Sequence, residues 1–155
     1  MDRRRGIMAA GGVEPVPEPN GLVPGDYSKG SSSISVNSNG QIEAATWNSS
    51  SLNSAVFAIK QSISWNAGDI VNINLKKISG VTGWKGWDIQ LRNSGTLNLT
   101  LANNKALDMS KTNNAWDTTA SAGGTANEIY MNSRSGGISN AVMEIHIKIN
   151  GVEVF

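Results

Sequence analysis

The chain has 155 residues, a formal net charge of +1, 16% charged side chains and no cysteine. That length fits one domain able to bury a core without staples. The missing thiols remove disulfides and thiolate metal sites, and the near-neutral balance argues against nucleic acid as a partner of the folded body.

No apolar run approaches the roughly 18 to 20 residues of a membrane span. The polarity comes from Asn, Ser, Thr and Gly, which suits a β-rich extracellular or virion-type protein. At the start, Arg3, Arg4 and Arg5 precede a small apolar patch that is shorter than the core of a signal peptide, so no leader is assigned. Pro15, Pro17 and Pro19 then alternate with other residues, favouring extended backbone and denying ladder hydrogen bonds. Residues 1 to 30 are therefore expected to form an extended arm or linker. Arg3, Arg4 and Arg5 are its anchoring group, and a partner protein or sister subunit is the surface it lies on.

From residue 31 the pattern becomes short alternating runs separated by turn residues, as in an antiparallel sandwich or barrel. Ser33–Val36 and Gln41–Trp47 flank Asn37-Ser38-Asn39-Gly40, a strong hairpin signal because Asn and Gly tolerate positive φ. Ala55–Trp65 comes next, and Asn66-Ala67-Gly68-Asp69 turns it into Ile70–Lys76, whose apolar face is Val71, Ile73 and Leu75.

The stretch Gly83–Arg92 combines aromatic density with strand alternation. Trp87, Ile89 and Leu91 share one face, while Trp84, Asp88, Gln90 and Arg92 share the other. An aromatic platform beside a carboxylate, an amide and a guanidinium suits a sugar, whose C–H face stacks on a ring while its hydroxyls take directional hydrogen bonds. The alternative is that Trp84 half-covers an exposed sheet beside merely solvated polar residues. A bulge at Gly86 would swap the facing of Trp84.

Thr96–Leu101 is another alternating strand, after which residues 102 to 126 lose the pattern and read as a long polar loop carrying Trp116. Trp116 is either a second contact residue or an anchor packing that loop onto the body. Glu128–Arg134 resumes the alternation, with Ile129 and Met131 inward and Tyr130, Asn132 and Arg134 outward. A last hairpin runs from Val142 to Ile149, turned by Asn150-Gly151, with Glu144, His146 and Lys148 as its outer polar row. The expected fold is all-β: an antiparallel sandwich or barrel of about eight or nine strands over residues 31–155, with the N-terminal arm attached.

Catalytic signals are sparse. The one histidine, His146, sits mid-strand in a polar row, and a single His without Cys cannot build a typical zinc site. Gly123-Gly124 and Gly136-Gly137 lack the strand-to-helix context of a phosphate loop. Asp88, Asp117 and Glu128 can meet only through the fold, and no spacing pairs them for glycosidic chemistry. No dense acidic loop points to calcium. Neither enzyme activity nor a cofactor or metal is assigned.

With the opening hairpin Ile34–Trp47, the Ser64-Trp65-Asn66-Ala67-Gly68-Asp69 turn, the Trp-rich middle strand and the closing hairpin Ile147–Val154, the body resembles the jelly-roll carbohydrate-binding modules appended to polysaccharide-degrading enzymes. That resemblance implies a jelly-roll-like antiparallel β-sandwich and a glycan-binding face using Trp84, Asp88, Gln90, Arg92, Tyr130 and Asn132, with Trp116 at its rim. The Arg-rich start is similar to the openings of some structural proteins of bacteriophages from gut bacteria. These resemblances imply two alternatives. One is a non-catalytic phage virion decoration or adhesion protein, located on the virion surface or extracellularly and anchored by its arm. The other is a carbohydrate-binding module of a bacterial polysaccharide-degrading enzyme.

Overall fold

A computed structural model describes residues 19–155. The strands are β1 (Gly25–Asp26), β2 (Ser33–Val36), β3 (Ile42–Trp47), β4 (Ala55–Trp65), β5 (Ile70–Ser79), β6 (Trp84–Asn93), β7 (Thr96–Asp108), β8 (Asn113–Thr119), β9 (Gly124–Ser133), β10 (Ile138–Ile149) and β11 (Val152–Glu153). Every pairing among them is antiparallel. The larger sheet runs β1-β2-β3-β10-β5-β8, with β11 paired to β10, and the smaller runs β4-β9-β6-β7. Strands β3 to β10 alone make two four-stranded sheets in the order of a jelly roll: the alternation predicts a sandwich or barrel, and the resemblance implies the jelly-roll order. The count of eleven exceeds eight or nine partly because β1 and β11 are two-residue pieces.

Alternation decides what is buried. Val71, Ile73, Leu75, Trp87, Ile89, Leu91, Ile129, Met131 and Ile147 point between the sheets and are essentially inaccessible. Three aromatic rings from three strands form the centre of that layer. The Trp47 ring meets Trp87 edge-on at 5.4 Å and Phe57 at 6.2 Å. Both indole N–H groups are buried without a hydrogen-bond partner, so these rings contribute through apolar contact alone. The hairpin turns form as their sequences require: Gly40 lies at φ 76°, and Asn150 and Gly151 lie at 50° and 83°.

Two expectations are corrected. The first concerns residues 102 to 126, which are not a long loop: β7 continues to Asp108, β8 occupies Asn113–Thr119 and β9 begins at Gly124. Strand β7 has 13 residues against 10 in its partner β6, and the excess is absorbed by irregularities opposite Trp87/Ile89, Ile89/Gln90 and Leu91/Arg92. Each extra residue reverses the facing of the residues after it, so a period of two cannot persist along the sequence. Asn104, at φ 49°, lies in the first of these irregularities.

The second correction concerns the arm. Residues 1–18, with Arg3, Arg4 and Arg5, lie outside the described residues, but residues 19–30 are built into the sandwich. Leu22 is buried and bridges Ile59, Tyr27 packs on Phe57 at 5.0 Å, and β1 pairs with β2. The Asn20 side chain acts as a substitute peptide: Oδ1 accepts the Gln61 N–H at 2.9 Å, and Nδ2 donates to the Gln61 carbonyl at 2.8 Å. Residues 20–23 thereby cover part of the free edge of β4.

The alternating strand directions place the β3–β4, β5–β6, β7–β8 and β9–β10 connections at one end of the sandwich. The β4–β5, β6–β7, β8–β9 and β10–β11 turns lie at the other.

Candidate functional site

The residues read as one glycan face separate into three places. Trp84 begins β6, is 69% exposed, and lies on the outer side of the smaller sheet at the end bearing the β5–β6 and β7–β8 turns. Register is regular from Trp84↔Asp108 to Trp87↔Lys105, so no bulge at Gly86 reverses its facing. Gln90 lies six residues further on, about 20 Å along the strand.

Between them the outer face is covered. A Cβ at Gly86 would meet Asn104 Oδ1 at 2.6 Å and Ser135 Oγ at 3.0 Å, and Ser135 Oγ accepts the Gly86 N–H at 2.6 Å. Asp88 lies beneath this cover, 3% exposed. One carboxylate oxygen accepts the Asn104 N–H at 2.7 Å and the other accepts the Arg134 guanidinium. Asp88 thus holds the β7 bulge in place, and its oxygens face protein, contrary to the expectation of an open outward position. Its register neighbour Asn132 is fully buried, with neither amide atom hydrogen-bonded. A sugar has no access to either residue.

Gln90, Arg92 and Tyr130 do come together further along the sheet. The Arg92 guanidinium sits 3.9 Å above the Tyr130 ring, and its Nε and Nη2 donate to Gln90 Oε1 at 3.0 and 2.7 Å. The exposed side of the ring is therefore already stacked. Trp116 belongs to the other sheet. Its ring packs against the core, its indole N–H donates to the Leu101 carbonyl at 2.7 Å, and Lys105 lies 5.8 Å from the ring centroid. It joins β8 to β7 across the sandwich edge.

A second surface, unrecognised from sequence as a site, is the outer face of the larger sheet. A groove of about 390 Å³ is lined by Asn72, Asn74, Lys76, Asn113, Ala115, His146, Lys148 and Glu153. Its polar groups are joined to one another. Asn72 donates to Asp117 at 2.9 Å and Asn74 to Asn113 at 3.0 Å. Glu144 accepts from Gln41 at 2.8 Å and Lys76 at 2.9 Å, and its pKa is held down at about 2 by those two hydrogen bonds. His146 has Glu144 3.3 Å from Nε2 and Glu153 3.2 Å from Nδ1, and Lys148 reaches Glu153 at 3.7 Å. The alternating outer rows of β5 and β10 were the signal for this face, but nothing in them gives the cross-strand pairing, and β8 showed no alternation to add.

The Trp84 end has the opposite character. Val81, buried, and Gly80, where a Cβ would run into the Asn140 carbonyl oxygen, pin the β5–β6 turn. Gly83 accepts the Met109 N–H at 2.9 Å and donates to Ser110 Oγ at 3.2 Å, tying that turn to the β7–β8 turn. A rigid strand therefore presents an indole ring to solvent.

Among the described residues, no group of three or more His, Asp and Glu side chains is placed to hold a metal, and no helix is long and apolar enough to cross a membrane. Fold and surface together define a jelly-roll sandwich with an exposed aromatic at one end.

No protein-family model and no curated protein matches the chain. Among solved structures, one described as CpGH89CBM32-6 produced by Clostridium perfringens is similar at a TM-score of 0.46 and 16% identity, over 84% of this chain and 94% of that one.

Proposed function

We propose that this jelly roll is a non-catalytic glycan-binding protein that contacts its ligand through Trp84. The observation that carries this reading is the contrast within β6. Trp84 is 69% exposed, while Trp87, Ile89 and Leu91 on the same strand are fully buried and hold it rigid. An exposed indole carried on an ordered strand has only two side-chain torsions to lose when a pyranose ring stacks on it, so its apolar area is available for binding. The test is binding of the 155-residue chain to a broad glycan panel, with Trp84→Ala beside it. We expect at least a tenfold loss of affinity in the variant at unchanged melting temperature. A folded protein that binds no glycan, or binds equally well without the indole, overturns the reading.

The setting we propose is display on a phage particle. Asn20 is clamped to Gln61 and Val154, and residues 20–23 run antiparallel to β4, so the described chain enters from the end opposite Trp84. A tether in residues 1–18, with Arg3, Arg4 and Arg5, would then point the aromatic away from the particle. Deleting residues 1–18 should abolish particle attachment while leaving glycan affinity within twofold of the full chain. Unchanged attachment would instead favour a module of a polysaccharide-degrading enzyme.

A further inference from the structure

The charges around Trp84 identify a ligand class. Lys85, the next residue, leaves the strand on the side opposite Trp84 at the same end of the sandwich, and Lys111 lies in the β7–β8 turn that hydrogen-bonds to Gly83. Lys77 is fixed to the same turn: its N–H donates to the Thr112 carbonyl at 2.8 Å and its Nζ to the Ser110 carbonyl at 3.4 Å. The Lys85 ammonium lies 3.4 Å from the Gly137 carbonyl oxygen in the β9–β10 turn. None of the ion pairs among the described residues involves any of the three lysines.

The acidic side chains nearby leave the lysines in excess, with the single Asp108 carboxylate set against three ammonium groups. Asp88 is buried against Arg134. Asp108, in register with Trp84, has Oδ1 engaged by the Ser110 N–H at 3.1 Å. Lys76 and Lys148 on the outer face of the larger sheet each have a carboxylate partner, and Lys29, Lys60 and Lys105 stand without one elsewhere among the described residues, so what marks the Trp84 end is three such lysines on adjoining strands and turns beside an exposed indole.

We infer that the Trp84 end binds an anionic polysaccharide, with the indole stacked on a sugar ring and Lys77, Lys85 and Lys111 facing its carboxylate or sulfate groups. This inference rests on the glycan reading above and adds the charge of the ligand. Ammonium groups hydrogen-bonded only to carbonyls keep their charge uncompensated, and a chain of regularly spaced anions meets several of them at once. The neutral stacking surface distinguishes a sugar polymer from a purely electrostatic partner.

The experiment uses the full chain and paired polymers. Polygalacturonate and alginate are each measured beside their fully methyl-esterified forms, and chondroitin sulfate beside chemically desulfated chondroitin. Double-stranded DNA and phosphatidylglycerol vesicles serve as controls. The expected result is binding to at least one acidic polymer, weakened at least tenfold by esterification or desulfation and again by raising the salt from 50 to 500 mM. Lys77→Gln combined with Lys111→Gln should erase the preference for the acidic form, whereas Trp84→Ala should weaken both forms. Melting temperatures of the variants confirm that they fold.

Equal binding of acidic and neutral forms, lost in Trp84→Ala, overturns the anionic inference and leaves glycan binding intact. No binding to any of these polymers overturns the anionic inference, and the glycan reading falls with it only if the broad panel is empty as well. Binding of DNA or vesicles as tight as that of the best polymer, and indifferent to Trp84→Ala, also overturns it, because the lysines would then act without the ring.

Discussion

On the outer face of the larger sheet, Glu144 gathers Gln41, Lys76 and His146, and Glu153 gathers His146 and Lys148. At the Trp84 end, Lys77 and Lys85 direct their ammonium groups at backbone carbonyls, Lys111 joins no ion pair among the described residues, and the ring stands in solvent. Both surfaces are polar and both sit on rigid strands, so neither composition nor order separates them. The separation is in whether each group's partner is already in the molecule. A groove lined by satisfied pairs offers a ligand exchange of one hydrogen bond for another, with small net gain. An exposed ring among uncompensated cations offers contacts that water makes poorly. The deeper surface is therefore the structural one, and the shallower one is the candidate site.

The sharpest way to break that assignment is to compare two tryptophans three residues apart. Trp87→Ala removes a fully buried ring that meets Trp47 edge-on, and should cost about 3 to 5 kcal/mol. That is a large part of the stability of a domain this size. Trp84→Ala should change stability by less than about 0.5 kcal/mol, because the ring it deletes is already mostly wet. Urea denaturation monitored by circular dichroism measures both. A comparable cost at Trp84 would mean that its ring packs on the body and that the binding role is misplaced.

These two tryptophans also show what the sequence could express. Alternation assigned Trp87, Ile89 and Leu91 to the core correctly, because a period of two leaves a strand no freedom about which side each residue takes. It also put Trp84 outside. It failed at Asp88, whose parity is outward but whose surroundings are set by a bulge in β7, a strand whose own pattern that bulge had erased. The local hint was Asn104, a residue type that tolerates the positive φ it adopts in that bulge. The Gln41–Glu144–Lys76 cluster was invisible for another reason: its members lie 103 and 68 residues from Glu144, and cross-strand register depends on the whole topology. Leu22 likewise read as part of a proline-rich arm, since its partner Ile59 is far away in sequence.

The smaller effect lies on the satisfied surface, and pH isolates it. Glu144 titrates near 2 in the folded protein against an ordinary value of 4.5, chiefly because Gln41 and then Lys76 hydrogen-bond its ionised form. A carboxylate whose folded pKa is depressed contributes stability that is complete above its unfolded pKa, and this is lost as protons bind on the way down to the folded one. The contribution should therefore be full above about pH 5 and fade between pH 4.5 and 2. Asp26 and Asp69 are shifted in the same direction by hydrogen bonds from Ser28 and from Asn66 and Asn150, so the whole protein will weaken in acid for several reasons. The difference between the wild type and Glu144→Gln removes those common terms. At pH 7 the variant should be less stable by about 1 to 2 kcal/mol, the worth of a charge-assisted hydrogen bond at a half-buried site. That gap should narrow toward zero by pH 2, while binding by the Trp84 end at neutral pH is unaffected. A gap that stays constant across the pH range would mean that the Glu144 charge does not hold the face together. If glycan affinity falls along with it, the groove contributes to binding and the contrast between the two surfaces no longer holds.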